Sequence, residues 1–279
     1  MLSSKQLDAY LNRIHYDGPT NVCLTTLHGL TRAHVQRIAF ENMDVLLGQT
    51  PAIDETSVFD KLVLKRRGGY CFEQNRLLKA VLRTLGFDVT PLGARVRLRT
   101  SDRSVMPGRT HLLLQVKLND ALWITDVGFG GYSLTQALQV QSGLVQDTPH
   151  GLRRLMNDEG RWFHQVCKLD EWIDVYELDL QPMYPRDQII ANWYTSTHVD
   201  SQFVDNLTIA LACHDGSRVS LYNNLLRRTQ ADGNTEIQAL AREEILATLC
   251  DIFHLDVSQP DRLLERLVMQ TVQDGQDNL

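Results

Sequence analysis

KRRGGYCFEQNRLLKAVLRTLG, residues 65–86, joins a basic, glycine-containing turn to a segment with helical periodicity. After Cys71, apolar residues recur at three- and four-residue spacing, and Gly86 is a common kind of C-terminal stop. The stretch therefore predicts a helix that begins near Cys71 and buries one face. It also predicts a single thiol at the point where the chain enters that helix.

A thiol in this position lies beside unpaired backbone N–H groups and the positive end of the helix dipole. Both favour the thiolate form of Cys71, and the basic residues 65–67 add positive charge. Gly68 and Gly69 permit backbone shapes that other residues resist, as a sharp approach to a helix often requires. The stretch alone fits a reactive nucleophile and a core helix that happens to begin with cysteine equally well.

Composition excludes several classes of protein. The 279 residues are 43% hydrophobic and 22% charged, which is typical of a soluble globular protein. A net charge of -6 argues against a general nucleic-acid binder. No apolar run reaches the roughly 20 residues that span a bilayer, and no signal-peptide core is present. The five scattered cysteines form no CxxC pair, so we expect reduced thiols in a cytoplasmic protein. From the charge and the apolar run lengths we expect no nucleic-acid or membrane partner.

The hydrophobic period changes after Gly86, from helical spacing to short runs separated by turn residues. This segregation predicts an α+β fold. Residues 1–85 are expected to form a helical domain and 86–190 an antiparallel, barrel-like domain. Residues 191–208 read as a connecting segment, and 209–279 as a smaller α/β unit whose last residues, 274–279, look disordered.

A nucleophilic thiol needs a base, and the base needs an orienting partner. His111 opens one predicted strand and Asp126 ends the next, in a hairpin whose turn is Asn119-Asp120. An aspartate between apolar residues is costly unless it is partnered, so we expect it to accept from the Nδ1–H of the histidine. The remaining histidines have no comparable carboxylate nearby. No pair has metal-ligand spacing, and no metal is assigned.

The residues quoted above, together with IAFENMDVLLG, RTHLLLQV and WITDVGFGG, make the chain similar to the arylamine N-acetyltransferases. The resemblance runs in order over residues 38–132 and extends through TPHGLRRL and NWYTSTHVDSQF, so it covers most of the chain. The bacterial members, including N-hydroxyarylamine O-acetyltransferases, are the most similar. The resemblance implies a helical bundle, a β-barrel-like domain and an α/β lid, with a triad like those of papain and transglutaminases.

In this sequence the implied triad is Cys71, His111 and Asp126. The implied reaction is ping-pong transfer: the thiolate takes the acetyl group from acetyl-CoA, CoA leaves, and an arylamine, arylhydrazine or N-hydroxyarylamine accepts it. The backbone N–H of Cys71 is one candidate donor to the tetrahedral oxyanion. CoA and the aromatic acceptor are thus the expected partners, and the sequence carries no signal of oligomeric state.

Further assignments concern substrate contacts and support. Phe129 is expected in an aromatic acceptor pocket. Phe40 fits either that pocket or the core. Three residues just before His111, namely Pro107, Gly108 and Thr110, are expected to line the CoA channel. Glu41 is predicted to pair with Arg67 and so hold the cysteine loop against the first domain.

The run RVRLR places three arginines on one strand face, Arg95, Arg97 and Arg99. We expect this face to be solvated, with contact to CoA phosphates as the alternative. Other functions also remain open at this point. They are a hydrolase that uses the same triad with water as the acceptor, an amide synthase acting on a larger acyl thioester, and a non-catalytic binding protein on the same scaffold.

Overall fold

The computed structural model describes residues 1–98, 100 and 102–272. The predictions for Arg99 and for residues 274–279 lie outside these residues. Of the helices described, none is long and apolar enough to cross a membrane.

The N-terminal part is helical, as the periodicity predicts. Its elements are α1 (Ser4–Arg13), α2 (Leu24–Arg37), β1 (Phe40–Glu41), α3 (Met43–Leu46), α4 (Glu55–Phe59), a π-helical turn (Asp60–Leu64) and α5 (Cys71–Thr84). Helix α5 buries the predicted apolar stripe, including Leu78 and Val81. It ends at Thr84, just before Gly86, whose φ of 95° is a conformation that glycine adopts without strain.

The central part is an eight-stranded antiparallel sheet. Its strands are β2 (Asp88–Val96), β3 (His111–Leu118), β4 (Ala121–Thr125), β5 (Leu138–Gln139), β6 (Gln146–Thr148), β7 (Gly151–Asp158), β8 (Arg161–Lys168) and β9 (Glu171–Pro182). Their order in the sheet is β5-β4-β3-β2-β9-β8-β7-β6. The hairpin of β3 and β4 turns at Asn119, and Leu114 is opposite Thr125. The predicted hairpin therefore forms, and it ends beside His111 and Asp126.

The C-terminal part is a second sheet with flanking helices. Its elements are α6 (Pro185–Thr197), α7 (Gln202–Asp205), β10 (Thr208–Ala212), β11 (Arg218–Tyr222), β12 (Leu225–Thr229), β13 (Thr235–Ala239), α8 (Arg242–Asp251) and α9 (Pro260–Arg266). The sheet order is β1-β10-β11-β12-β13. Strand β1 comes from the N-terminal part and pairs Phe40 with Ala210. The fold is α+β, as expected, whereas the domain boundaries given above stay a prediction.

The core around the cysteine loop joins all three parts of the chain. One buried apolar cluster contains Tyr70, Cys71 and Phe72 from the helical part, Leu112 from β3 and Ala210 from β10. Because apolar burial contributes roughly 25 cal/mol per Å², this shared cluster fixes the loop more firmly than helix propensity does.

Candidate active site

Cys71 is the first residue of α5 and its side chain is buried, with a relative exposure of 5%. The preceding residue, Tyr70, is extended, and its N–H donates to Glu73 Oε2 at 3.1 Å. The thiol therefore lies at the helix N-terminus, where free N–H groups and the dipole stabilise negative charge.

The two glycines before Cys71 serve a close approach between backbone segments. A Cβ at Gly68 would lie 2.3 Å from the carbonyl oxygen of Ala39, and one at Gly69 would lie 2.7 Å from Glu73 Oε2. The residue of this turn that adopts the left-handed conformation is Arg66, with φ of 52°. The expectation of unusual glycine backbone shapes is thus corrected: a side chain is excluded at Gly68 by the segment that leads into β1 and at Gly69 by the Glu73 side chain of α5.

His111 and Asp126 form a buried pair. His111 Nε2 lies 2.7 Å from Asp126 Oδ2, and the relative exposures of the two residues are 3% and 0%. The other carboxylate oxygen, Oδ1, accepts from Asn75 Nδ2 at 2.9 Å and from the N–H of Gly128 at 3.0 Å. The expectation that Nδ1 would face the aspartate is wrong. Because Nε2 does so, Nδ1 is the nitrogen left for the thiol.

The charge state of His111 follows from its neighbours. Burial opposes the charged ring, but the charge and hydrogen bond of Asp126 outweigh burial, and Cys71 adds a hydrogen bond and a charge interaction. The net effect raises the pKa of His111 to about 10. An imidazolium is therefore the favoured form at neutral pH, which is the partner that a thiolate needs.

The thiol and the imidazole lie in one cleft. Cys71 Sγ is 3.9 Å from the carbonyl oxygen of Thr110, the residue next to His111. A Cβ at Gly128 would lie 2.6 Å from the Cα of Cys71, so the loop that follows β4 packs directly against the start of α5. The fold thus brings a thiol, an imidazole and a carboxylate together from three separate segments, an arrangement that nucleophilic catalysis requires.

The cleft around these groups has a volume of about 420 Å³ and mainly aromatic walls near the thiol. The ring of Phe129 stands edge-on to that of His111, with centroids 4.9 Å apart and planes at 85°. Phe40 also lines the cleft, and its ring packs against that of Phe203 with centroids 6.0 Å apart. The cleft can therefore hold a flat aromatic molecule beside the thiol.

Comparison with known proteins agrees with this geometry. A family model described as N-acetyltransferase matches residues 23–262. The arylamine N-acetyltransferase of Escherichia coli (strain K12) is 41% identical over 217 residues, covering 78% of this chain and 76% of that protein. The chain belongs to the arylamine N-acetyltransferase family. It is therefore an acyltransferase of that family, and the resemblance seen in the sequence is confirmed.

Two further members of the family are informative. A Salmonella typhimurium protein named arylamine N-acetyltransferase / N-hydroxyarylamine O-acetyltransferase is 40% identical over 220 residues, covering 78% of this chain and 76% of its own. The structure of the Mycobacterium marinum arylamine N-acetyltransferase in complex with CoA matches with a TM-score of 0.88 at 35% identity. That match covers 93% of this chain and 97% of the other.

Of the residues expected to meet CoA, two lie in a second groove of this acetyltransferase. Gly108 and Thr110 line a groove of about 360 Å³ beside α6, and Thr110 also lines the active-site cleft. Pro107 lines neither cavity, and its carbonyl accepts from Arg95 Nη1. The two cavities adjoin at Thr110 and Tyr194, which line both.

The expectation of a solvated arginine face is wrong for Arg97. Its side chain is buried, with a relative residue exposure of 2%, and its Nε donates to Glu177 Oε2 at 2.9 Å. Arg95 lies 3.7 Å from the same carboxylate and is half-buried. A buried guanidinium is retained because a carboxylate neutralises it. Glu177 lies on β9, and sequence periodicity does not reveal that β9 pairs with β2 and so places Glu177 beside Arg97.

The predicted contact between Glu41 and Arg67 is present and belongs to a larger buried cluster. Arg67 Nη2 lies 3.0 Å from Glu41 Oε1, and Lys61 Nζ lies 2.7 Å from both Asp44 Oδ2 and Glu73 Oε1. Burial raises the pKa of Glu73 to about 7, against the opposing effect of Lys61. These charges tie the cysteine loop to the segment of β1 and α3.

We expect a double-mutant cycle of Glu41→Gln and Arg67→Met to give a coupling of about 1–3 kcal/mol in urea unfolding, since the pair is largely buried. The matched control is Lys65 with Asp60, a pair 2.7 Å apart whose side chains are 66% and 44% exposed. Solvent screens that pair, so its coupling should be clearly smaller. Equal couplings for the two pairs would refute a supporting role for Glu41.

The sequence analysis did not identify the buried polar residues that hold the cysteine loop by hydrogen bonds to its backbone and to the neighbouring chain. Gln74 Nε2 donates to the carbonyls of Ala39 at 2.8 Å and Gly69 at 3.1 Å. Its Oε1 lies 2.6 Å from His34 Nε2, and His34 Nδ1 lies 2.9 Å from the hydroxyl of Tyr10. Helical spacing predicts one further polar residue of the site: Asn75 is four residues after Cys71 and therefore lies on the same buried face of α5 as the thiol.

Burial makes the folded protein sensitive to acid. Burial lowers the pKa of His34 to about 4, and the hydrogen bond to Gln74 only partly opposes this. The unfolded chain binds this proton near pH 6.5, so stability is full above that pH and is lost as pH falls towards 4. Converting the two pKa values gives roughly 3 kcal/mol for this histidine.

We therefore expect the urea midpoint to fall between pH 6.5 and 4, and to fall less steeply in a His34→Gln variant. The comparison of slopes is needed because burial also lowers the pKa of His28 and of His150 to about 4. A slope unchanged by the substitution would show that His34 has the same pKa in the folded and the unfolded chain.

Within the described ranges, no group of three or more His, Cys, Asp or Glu residues is arranged to hold a metal ion.

Proposed function

We propose that this chain transfers an acetyl group from acetyl-CoA to arylamines, arylhydrazines or N-hydroxyarylamines through an acetyl-Cys71 thioester. The observation that carries the proposal is the convergence of Cys71, His111 and Asp126 at the base of an aromatic cleft. The names of the relatives support both acceptor types, since one is also named an O-acetyltransferase.

In the first half-reaction the Cys71 thiolate attacks the thioester carbonyl of acetyl-CoA. The tetrahedral oxyanion would be stabilised by the backbone N–H of Cys71, which at the helix N-terminus has no intrahelical acceptor. When the intermediate collapses, the C–S bond to CoA breaks and the imidazolium of His111 supplies the proton that leaves with CoA. Thioester is exchanged for thioester, so the step is nearly isoenergetic and reversible.

In the second half-reaction the neutral amine nitrogen attacks the acetyl-Cys71 carbonyl. His111, now neutral, collects the proton that the nitrogen loses as the amide forms, and the Cys71 thiolate leaves. Asp126 stabilises the imidazolium that results and fixes the ring through Nε2. Arylamines suit this step because their weakly basic nitrogens are already neutral at pH 7.

The cleft supplies the acceptor contacts, and we assign the ring of the acceptor to the space beside Phe129 and Phe40. The groove lined by Gly108 and Thr110 adjoins the thiol and is the proposed approach for CoA. The structure of the M. marinum relative in complex with CoA supports a CoA site in this fold. We further propose a cytoplasmic location, in keeping with five free cysteines.

Intact-protein mass spectrometry after mixing with acetyl-CoA tests the proposal. One acetyl adduct is expected, mapped to Cys71 by peptide digestion, stable without acceptor and discharged rapidly by 4-methoxyaniline. Rapid discharge by water alone would instead indicate a hydrolase. Adducts only from longer acyl-CoA thioesters would indicate an amide synthase, and no adduct from any thioester would refute acyl transfer through Cys71.

A further inference from the structure

The loop of residues 126–134 carries several contacts of the active site. It begins at Asp126 and closes where the N–H of Leu134 donates to the carbonyl of Asp126 at 2.7 Å. Between these points Gly128 packs on Cys71, and Phe129 stands edge-on to His111. The conformation of this loop therefore sets where the Phe129 ring lies relative to the reacting groups.

Ser133 organises the loop from within. It is buried, with a relative exposure of 4%, and its Oγ accepts from the N–H of Phe129 at 2.9 Å. Its own N–H donates to the carbonyl of Gly130 at 3.0 Å. The backbone at Phe129 is thus tied directly to the Ser133 side chain.

The carbonyl of Ser133 accepts a hydrogen bond from the C-terminal sheet. Arg218, the first residue of β11, donates from Nη2 to this oxygen at 2.9 Å. A second arginine, Arg153 of β7, donates from Nη1 to the carbonyl of Tyr132 at 3.4 Å. Among the residues the structure describes, neither guanidinium has a carboxylate within salt-bridge distance. The donors to these two loop carbonyls are guanidinium groups, so the hydrogen bonds are charge-assisted, and the one from Arg218 is the shorter.

We propose that Arg218 is a positioning residue for the acceptor half-reaction: through Ser133 it holds Phe129 where the aromatic acceptor must lie. This inference rests on the proposed function, since it assumes acetyl-Cys71 and an acceptor ring at Phe129. The pair of His111 and Asp126 does not depend on Arg218, because Asn75 and the N–H of Gly128 hold the carboxylate separately. Acetylation of Cys71 should therefore survive when Arg218 is changed.

The test compares Arg218→Met with wild type in the two half-reactions, measured separately by rapid mixing and mass spectrometry. Acetylation of Cys71 by acetyl-CoA should stay within about twofold. Discharge by 4-methoxyaniline should fall about tenfold in kcat/KM, mainly through KM, because one charge-assisted hydrogen bond is lost. Discharge by hydrazine, which has no ring to place against Phe129, should be unchanged, and Arg218→Lys should restore part of the loss.

Arg228→Met is the matched control. Arg228 is a half-buried arginine on the adjacent strand β12, and its Nη1 donates to Ser217 Oγ rather than to the loop. It should leave both half-reactions unchanged. Ser133→Ala, which removes the acceptor of the Phe129 N–H, should reproduce the selective loss and show no further loss when combined with Arg218→Met.

Equal losses with 4-methoxyaniline and hydrazine, or slower acetylation of Cys71, would overturn the proposal, because a merely structural residue behaves in that way. An Arg218→Met variant that discharges both acceptors like wild type would overturn it as well. If wild type forms no acetyl adduct at all, it is the proposed function that fails, and the two failures are thus distinguishable.

Discussion

Cys71→Ala is expected to abolish the acetyl adduct and to lower kcat/KM for arylamine acetylation by at least about 10⁴-fold. The reason is that Cys71 is the only cysteine among the described residues that line the cleft. Cys71→Ser should be almost as inactive, because a hydroxyl does not ionise beside His111 at neutral pH. Intact-protein mass spectrometry and steady-state assays with acetyl-CoA measure both effects.

The matched control for that substitution is Cys167→Ala, which removes a half-buried thiol of β8 away from the cleft. This variant should acetylate and turn over like wild type. Both variants are expected to fold, so near-identical thermal midpoints would exclude unfolding as the cause. Retention of the adduct in Cys71→Ala would show that another residue is acetylated and would contradict the proposed mechanism.

Asp126→Asn is expected to lower kcat/KM by about 10³–10⁴-fold while leaving the fold in place. The amide keeps one oxygen for the hydrogen bonds from Asn75 and Gly128, so its NH₂ group must face His111 Nε2. That donor forces the ring proton onto Nδ1 and removes the charge that favours the imidazolium. The thiol of Cys71 then has a neutral imidazole beside it.

The decisive readout for Asp126→Asn is the pH dependence of alkylation by iodoacetamide. In wild type, Asp126 helps to raise the pKa of His111 to about 10, so an imidazolium lies beside Cys71 across neutral pH. In the variant the thiol loses the adjacent cation, so alkylation near pH 7 should slow and its dependence on pH should change. An unchanged alkylation profile would show that Asp126 orients the ring without supporting its charge.

Much of the local structure is determined by the sequence. The stripe after Cys71 forms α5, Gly86 ends it, and the Asn119-Asp120 turn closes the hairpin that places His111 near Asp126. These features depend on residues close together in the chain, where hydrophobic period and turn propensity act directly. The RGG-aromatic-Cys motif likewise indicates the family from the sequence alone.

Contacts between distant segments were decided only by the tertiary structure. The sequence does not show that Nε2 of His111 faces Asp126, that Glu177 buries Arg97, or that Phe40 and Glu41 form an edge strand of the C-terminal sheet. Nor does it show that Arg218 reaches Ser133 across 85 residues. Such contacts depend on how sheets pack and on which charge a buried partner can neutralise, and neither leaves a periodic signal in the chain.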